Sequence, residues 1–191
     1  MTFFKTIATT ALTGLVALGA SASASVATPT RGNIAEGSAD AYALLVQAIS
    51  NNGVTFAVNH PHCGKKEGMM GFYSGEQRLL VVCQDNGVAG GPVVKWTAND
   101  MDTLRHEAQH MIQDCIAGTN HDHVLAPVYK SPTALAQDVI GPKAIVEITQ
   151  RYRENGASDL VLLLEYEAFA VAAMNVPAEQ AQDVKTYCGV S

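Results

Sequence analysis

The stretch His106-Glu107-Ala108-Gln109-His110 has the largest consequence for fold and chemistry, because it is an intact HExxH pattern. Side chains four residues apart lie one above the other on an α-helix, so His106 and His110 can present two imidazole nitrogens to one zinc ion. Glu107 would stand beside that ion. The pattern therefore predicts a helix that carries a zinc site suited to hydrolysis.

The residues on either side of the pattern favour a helix. Asn99 is the predicted N-cap, and Asp100 and Asp102 follow in the first turn, where negative charge is favourable. Gly118 is predicted to end the helix. We expect one helix over residues 99–117, with the HExxH pattern inside it.

The upstream part of the chain predicts a helix and then a small sheet. Residues 39–50 carry apolar side chains at helical spacing, and Asn51-Asn52-Gly53 stops the pattern. Three β-like runs follow, at residues 54–58, 69–73 and 78–84. The second and third runs are predicted to form a hairpin.

Downstream of residue 130 the pattern is helical again, with proline at helix starts and glycine after helix ends. The predicted helices begin near Pro132, Pro142, Ser158 or Asp159, and Pro177. A helix, a small antiparallel sheet and then further helices form an α+β domain in which the sheet packs on the helices.

Residues 1–24 are typical of a secretory signal peptide. Lys5 supplies a positive charge, residues 6–20 are largely apolar, and small residues around Ala24 suit cleavage after that residue. The apolar run is short and interrupted by polar residues, which disfavours a membrane anchor. We expect residues 25–191 to form a single domain of a secreted or periplasmic protein that is a monomer.

Four cysteines lie in the part that would be exported. Because an exported chain meets an oxidising compartment, two disulfides are expected. We favour Cys63 with Cys83, which flank one β segment. We also favour Cys115 with Cys188, which would tie the HExxH helix to the last helix. Metal ligation by cysteine is less well supported, because no CxxC spacing occurs.

The charge balance disfavours one class of partner. The formal net charge is −6 at neutral pH, and the 12 lysine and arginine residues are scattered along the chain. Nucleic acid would meet an unfavourable field, so we expect no nucleic-acid partner. We expect no membrane partner after removal of the signal peptide. A peptide or protein substrate is the expected partner.

A catalytic zinc takes three protein ligands and keeps one position for water, so a third ligand is needed. The extended pattern of the metzincins requires glycine at 113 and histidine at 116, where this chain has Gln113 and Ile116. Glu165 and Glu167 lie in an otherwise apolar helix, and buried carboxylates need a partner such as zinc. They are two residues apart and cannot share one helix face, so either could be the ligand.

This combination resembles the gluzincin metallopeptidases, the clan of thermolysin. In that group a glutamate on a second helix follows the HExxH helix, often with a small residue three positions later. Glu165 with Ala168 matches that pattern. The resemblance implies a zincin-like fold, Glu107 as the general base, and three zinc ligands: His106, His110 and Glu165.

The chain departs from this family at one position. Many gluzincins have an aspartate four residues after the glutamate, where it orients a ligand histidine, whereas this chain has Phe169. The partner of the histidines is therefore unassigned, and Glu167 remains the alternative ligand.

The predicted function is that of a secreted zinc metallopeptidase, in which a zinc-activated water attacks a peptide bond. An alternative hypothesis is an exported zinc-binding or peptide-binding protein without catalytic turnover. A third hypothesis is an enzyme that hydrolyses a non-peptide amide. A donor to the oxyanion is also needed. The candidates for that donor are Tyr129, Tyr152, Tyr166, His121 and His123.

Overall fold

The computed structural model describes residues 39–118 and 124–189. The predicted signal peptide lies outside the described residues. Within them the chain forms six helices and three strands, so the predicted α+β class is confirmed. The helices are α1 (Ala39–Asn51), α2 (Ala98–Ala117), α3 (Pro132–Val139), α4 (Gly141–Glu154), α5 (Asp159–Met174) and α6 (Pro177–Cys188). The strands are β1 (Thr55–Val58), β2 (Gly71–Ser74) and β3 (Leu79–Val82), and a 3-10 turn occupies Pro61–Gly64.

The N-cap of helix α2 lies two residues earlier than the sequence predicted. This residue is Thr97, whose hydroxyl accepts a hydrogen bond from the Asp100 backbone N–H while the Asp100 carboxylate accepts one from the Thr97 N–H. This reciprocal pair satisfies two backbone donors at once, so Thr97 rather than Asn99 caps the helix. Gly118 ends the helix as predicted, with a positive φ of 110° that glycine adopts without strain.

The sheet is mixed, and the prediction of a purely antiparallel sheet is wrong. Its strand order is β1-β3-β2. The predicted hairpin is present, because β2 pairs antiparallel with β3. However, β1 pairs parallel with β3, with Thr55 opposite Leu79. All four residues of β3 are buried, so this strand occupies the centre and β1 and β2 occupy the edges.

Two apolar clusters flank α2. One lies between the sheet, α1, α2 and α6, and it contains the fully buried Trp96 and Phe56. The other is formed by α3, α4 and α5. Helix α2 packs on β2, on α5 and on α6. The residues of the HExxH pattern lie in α2 and are therefore enclosed between the two clusters.

Both predicted disulfides are confirmed. Cys63 is bonded to Cys83, and Cys115 at the end of α2 is bonded to Cys188 at the end of α6. Such bonds form and persist in oxidising compartments. Among the described residues, no helix combines the length and the apolar character that a membrane crossing would require.

We expect the two disulfides to stabilise the fold to different degrees. The bonds close loops of 20 and 73 residues. In the chain-entropy model these loops correspond to about 3 and about 4 kcal/mol. Urea unfolding of the C63A/C83A and C115A/C188A variants, without reductant, should therefore show the larger loss of unfolding free energy for C115A/C188A. A larger loss for C63A/C83A would contradict the loop-entropy argument.

Candidate metal centre

Three buried side chains from two helices converge at one point. His106 and His110 project from α2, and Glu165 projects from α5; all three are at most 3% exposed. His106 Nε2 lies 3.1 Å from His110 Nε2 and 3.1 Å from Glu165 Oε2. His110 Nε2 lies 3.5 Å from Glu165 Oε1. The group could therefore hold a metal ion.

The spacing of these atoms fits a small divalent cation. Ligands at about 2.0 to 2.1 Å from a tetrahedral zinc stand roughly 3.3 Å from one another. The His106–His110 and His106–Glu165 separations of 3.1 Å lie close to that value, and the 3.5 Å contact of His110 is made to the other oxygen of Glu165. Two imidazole nitrogens and one carboxylate form a donor set that zinc accepts, and Mg²⁺ and Ca²⁺ prefer oxygen alone.

The electrostatics of the group also favour a cation. Burial acts to raise the pKa of Glu165, but charged His110 and hydrogen bonds from both imidazoles outweigh it, so the pKa is well below its usual value. Burial lowers the pKa of His106, which favours the neutral imidazole. Burial also acts to lower the pKa of His110, but Glu165 reverses the effect and raises it. Glu165 is thus charged, as a metal ligand must be, whereas His110 holds a proton that a metal ion would have to displace.

The two histidines are held in different ways. His110 Nδ1 lies 2.8 Å from Gln113 Oε1, and Gln113 Nε2 donates to the Leu164 carbonyl at 3.0 Å. The ring of His106 instead packs edgewise on Phe169, with centroids 4.4 Å apart. Phe169, at the position where gluzincins often have aspartate, thus fixes a ring by packing. Gln113 is the hydrogen-bonding partner that sequence reasoning missed.

Glu167 points away from the histidines into a separate set of donors. Its Oε1 accepts from Gln109 Nε2 at 2.9 Å, from Gln113 Nε2 at 3.0 Å and from the Val128 N–H at 3.1 Å. Its Oε2 accepts from the Tyr129 N–H at 2.8 Å. Four donors satisfy this buried carboxylate without a metal. Of the two candidates from α5, Glu165 therefore lies with the histidines and Glu167 does not.

Glu107 is buried beside the group, against β2. A Cβ atom added to Gly71 would lie 3.2 Å from Glu107 Cγ and 2.6 Å from Thr103 Cγ2, so only glycine permits this approach of strand and helix. Burial, and then the charge of Glu165, raises the pKa of Glu107 to about 8, although His110 and the Tyr73 N–H act to lower it. Among the described residues, its Oε1 has no hydrogen-bond partner.

The candidate oxyanion donors differ in their surroundings. Tyr166 Oη forms a hydrogen bond with Thr149 Oγ1 at 2.5 Å, and Tyr129 is more than one-third exposed. Tyr152 Oη is buried and lies within reach of the Glu165 carboxylate, although the contact does not have normal hydrogen-bond geometry. Burial, and then the nearby Glu165 carboxylate, raises the pKa of Tyr152 well above its usual value. His121 and His123 lie outside the described residues.

A family model described as "Domain of unknown function (DUF8637)" matches residues 39–188. No curated protein and no solved structure matches the chain.

Zinc binding should depend on the Glu165 carboxylate of α5 and not on the Glu167 carboxylate. At a zinc concentration about 100 times the dissociation constant, binding would add about 2.7 kcal/mol, or roughly 5 to 10 °C in melting temperature for a chain of this size. Zinc should raise the melting temperature of wild type by this amount. It should not raise that of E165Q, because an amide is a poor zinc ligand. The matched change E167Q should lower the metal-free stability by about 2 kcal/mol, through loss of charge-assisted hydrogen bonds, yet keep the zinc increment. Differential scanning fluorimetry with zinc and with EDTA measures both quantities, and the reverse pattern would make Glu167 the ligand.

Proposed function

The chain belongs to the DUF8637 family, and from its site we propose that it is a secreted zinc-dependent metallopeptidase. One observation carries the proposal: His106, His110 and Glu165 converge in a buried group beside a second buried glutamate, Glu107. A protein that only stores or transports a metal does not need the second glutamate. A hydrolase needs it as a base.

The chemistry follows from the positions of these side chains. Zinc, when bound, lowers the pKa of a coordinated water towards neutrality and polarises a carbonyl group. His106, His110 and Glu165 would hold the ion. Glu107 would take a proton from the attacking water on Oε1, the atom that has no partner among the described residues, and deliver it to the leaving amine. A bound cation would favour the ionised form of Glu107, which a base requires.

Tyr152 is the best-supported donor to the oxyanion. Its hydroxyl is protonated at neutral pH, as that of a tyrosine normally is, and can donate a hydrogen bond. The hydroxyl points to the Glu165 carboxylate, and it therefore lies beside the group at which the negative charge of a substrate would develop. The hydroxyl of Tyr166, by contrast, is already hydrogen-bonded to Thr149 in the described fold.

The sheet offers a way to bind a peptide. β2 is an edge strand, so an extended chain could pair with its open side. The N–H of Tyr73 in β2 faces the Glu107 carboxylate. A peptide added along β2 would therefore pass close to the proposed base. This geometry favours a peptide over a small amide as substrate.

The proposed location outside the cytoplasm has two supports. The sequence of residues 1–24 is typical of a signal peptide. The two disulfides are typical of proteins that reside in an oxidising compartment.

The variant E107Q should test the proposed base. It keeps the size of the side chain and removes its proton affinity, so we expect kcat on a cleavable peptide to fall by about 10²- to 10⁴-fold with zinc content unchanged. E147Q, at an exposed position of α4, is the control and should keep full activity. Cleavage can be followed by mass spectrometry on a mixed peptide library with and without EDTA. If wild type binds one zinc ion and cleaves no peptide, the chain is a non-catalytic zinc-binding protein.

Loss of the Tyr152 hydroxyl should lower catalysis, whereas loss of the hydroxyl of another tyrosine in the same helical cluster should not. We expect Y152F to lower kcat by about 10²-fold with little change in KM, because the lost hydrogen bond would form only as the oxyanion develops. Y166F also removes a hydroxyl from this cluster and serves as the control, with kcat close to that of wild type. Equal losses of kcat in the two variants would point to general damage to the helices rather than to an oxyanion donor.

A further inference from the structure

A cavity of about 270 Å³ lies alongside β2, on the strand that would carry the substrate. Phe72, Tyr73 and Ser74 of β2 form one wall, and the segment that follows the 3-10 turn forms another. Pockets for whole small-molecule ligands commonly start at about 300 Å³. This cavity lies just below that size and has room for one side chain of a substrate.

The floor of the cavity is apolar. Met69 and Phe72 belong to, or pack against, the cluster that includes the Cys63–Cys83 disulfide. The imidazole of His62 stacks on Phe72, with ring centroids 6.0 Å apart. Burial, and then the charge of Lys65, lowers the pKa of His62, so this wall is an uncharged ring at neutral pH. Aliphatic carbons of an incoming side chain would lose water against these groups.

The mouth of the cavity is basic. Lys65 and Lys66 line it, and no carboxylate is among the lining side chains in the part of the chain that the structure describes. The ammonium of Lys66 donates to Asn155 Oδ1 at 2.9 Å, which holds it in place from the end of α4. An ammonium has three donors, so two remain for another acceptor. This local excess of positive charge stands out in a chain whose formal net charge is −6.

The cavity shares one residue, Tyr73, with the surroundings of the candidate base. Tyr73 lines it, and the N–H of the same residue faces Glu107. Side chains along a strand alternate between its two sides. Gly71 accordingly packs on α2, and Phe72 lies on the opposite side with the disulfide cluster. A peptide paired with β2 could insert one side chain into the cavity while its backbone passes the base.

Resting on the proposed peptidase function, we infer that this cavity is a specificity pocket for an acidic side chain of the substrate, with glutamate preferred over aspartate. The methylene groups of glutamate match the floor formed by Met69 and Phe72. Its carboxylate would then reach the ammonium groups of Lys65 and Lys66.

Pairs of matched peptides test the pocket. The two peptides of a pair differ only in having glutamate or glutamine at one position, and that position is moved along the peptide from pair to pair. At one position, wild type should show a kcat/KM about fivefold higher for glutamate, as expected for partly exposed ion pairs, and 0.5 M NaCl should reduce the ratio. K65Q/K66Q should bring the ratio close to one. The control K143Q, at an exposed lysine of α4, should keep it.

Binding to the E107Q variant, followed by fluorescence anisotropy of the same peptides, separates this inference from the proposed function. Cleavage by wild type without a glutamate preference would overturn the pocket and leave the peptidase standing. Absence of cleavage, together with a glutamate preference in binding that K65Q/K66Q abolishes, would overturn the peptidase and leave the pocket standing. Equal binding of both peptide series would overturn the pocket.

Discussion

Two negative charges buried in α5 govern how this molecule is assembled. Glu165 and Glu167 are at most 1% exposed, in a helix that is otherwise largely apolar, and an unpaired charge in such a place costs several kcal/mol. α5 can pack on α2 only if α2 supplies partners. It does so from one face, where residues at i, i+3, i+4 and i+7 lie side by side. These residues are His106, Gln109, His110 and Gln113.

A second face of α2 meets the sheet. Thr103 and Glu107 lie against Gly71, and Asp114 accepts a hydrogen bond from Tyr73 Oη at 2.7 Å. One helix is thus held between β2 and α5, with His106 and His110 on one face and Glu107 on the other. Because both faces belong to one rigid element, Glu107 keeps its position next to the histidines without a loop to place it.

Much of the helical part could be predicted from the sequence because its signals are local. Proline and serine mark the starts, and glycine marks the end of α2. The pairing of β1 with β3 could not be predicted. It depends on which of three short apolar runs becomes the central strand, and that choice is made by contacts between segments distant in sequence.

Sequence patterns also could not predict which of Glu165 and Glu167 lies with the histidines. Their spacing predicts that they point in different directions, but not which one meets the histidines. That depends on the rotation of α5 about its own axis against α2. The N–H groups of Val128 and Tyr129, in a segment without regular structure, help to fix this rotation by binding Glu167. Every residue except proline has a backbone N–H, so the sequence does not show which of these groups will bind a carboxylate.

The unequal support of the two histidines has a further physical consequence. Gln113 ties His110 Nδ1 into the network of Glu167, whereas Phe169 holds His106 by packing and leaves its Nδ1 buried without a partner among the described residues. A buried polar atom without a hydrogen bond costs roughly 1 to 3 kcal/mol. Packing fixes the plane of the His106 ring but does not choose its tautomer, since a phenyl ring accepts no strong hydrogen bond. The group that binds Nε2 must make that choice. In this fold the Glu165 carboxylate, 3.1 Å from Nε2, makes that choice for His106 and draws its proton to Nε2, whereas Gln113 orients His110 through Nδ1.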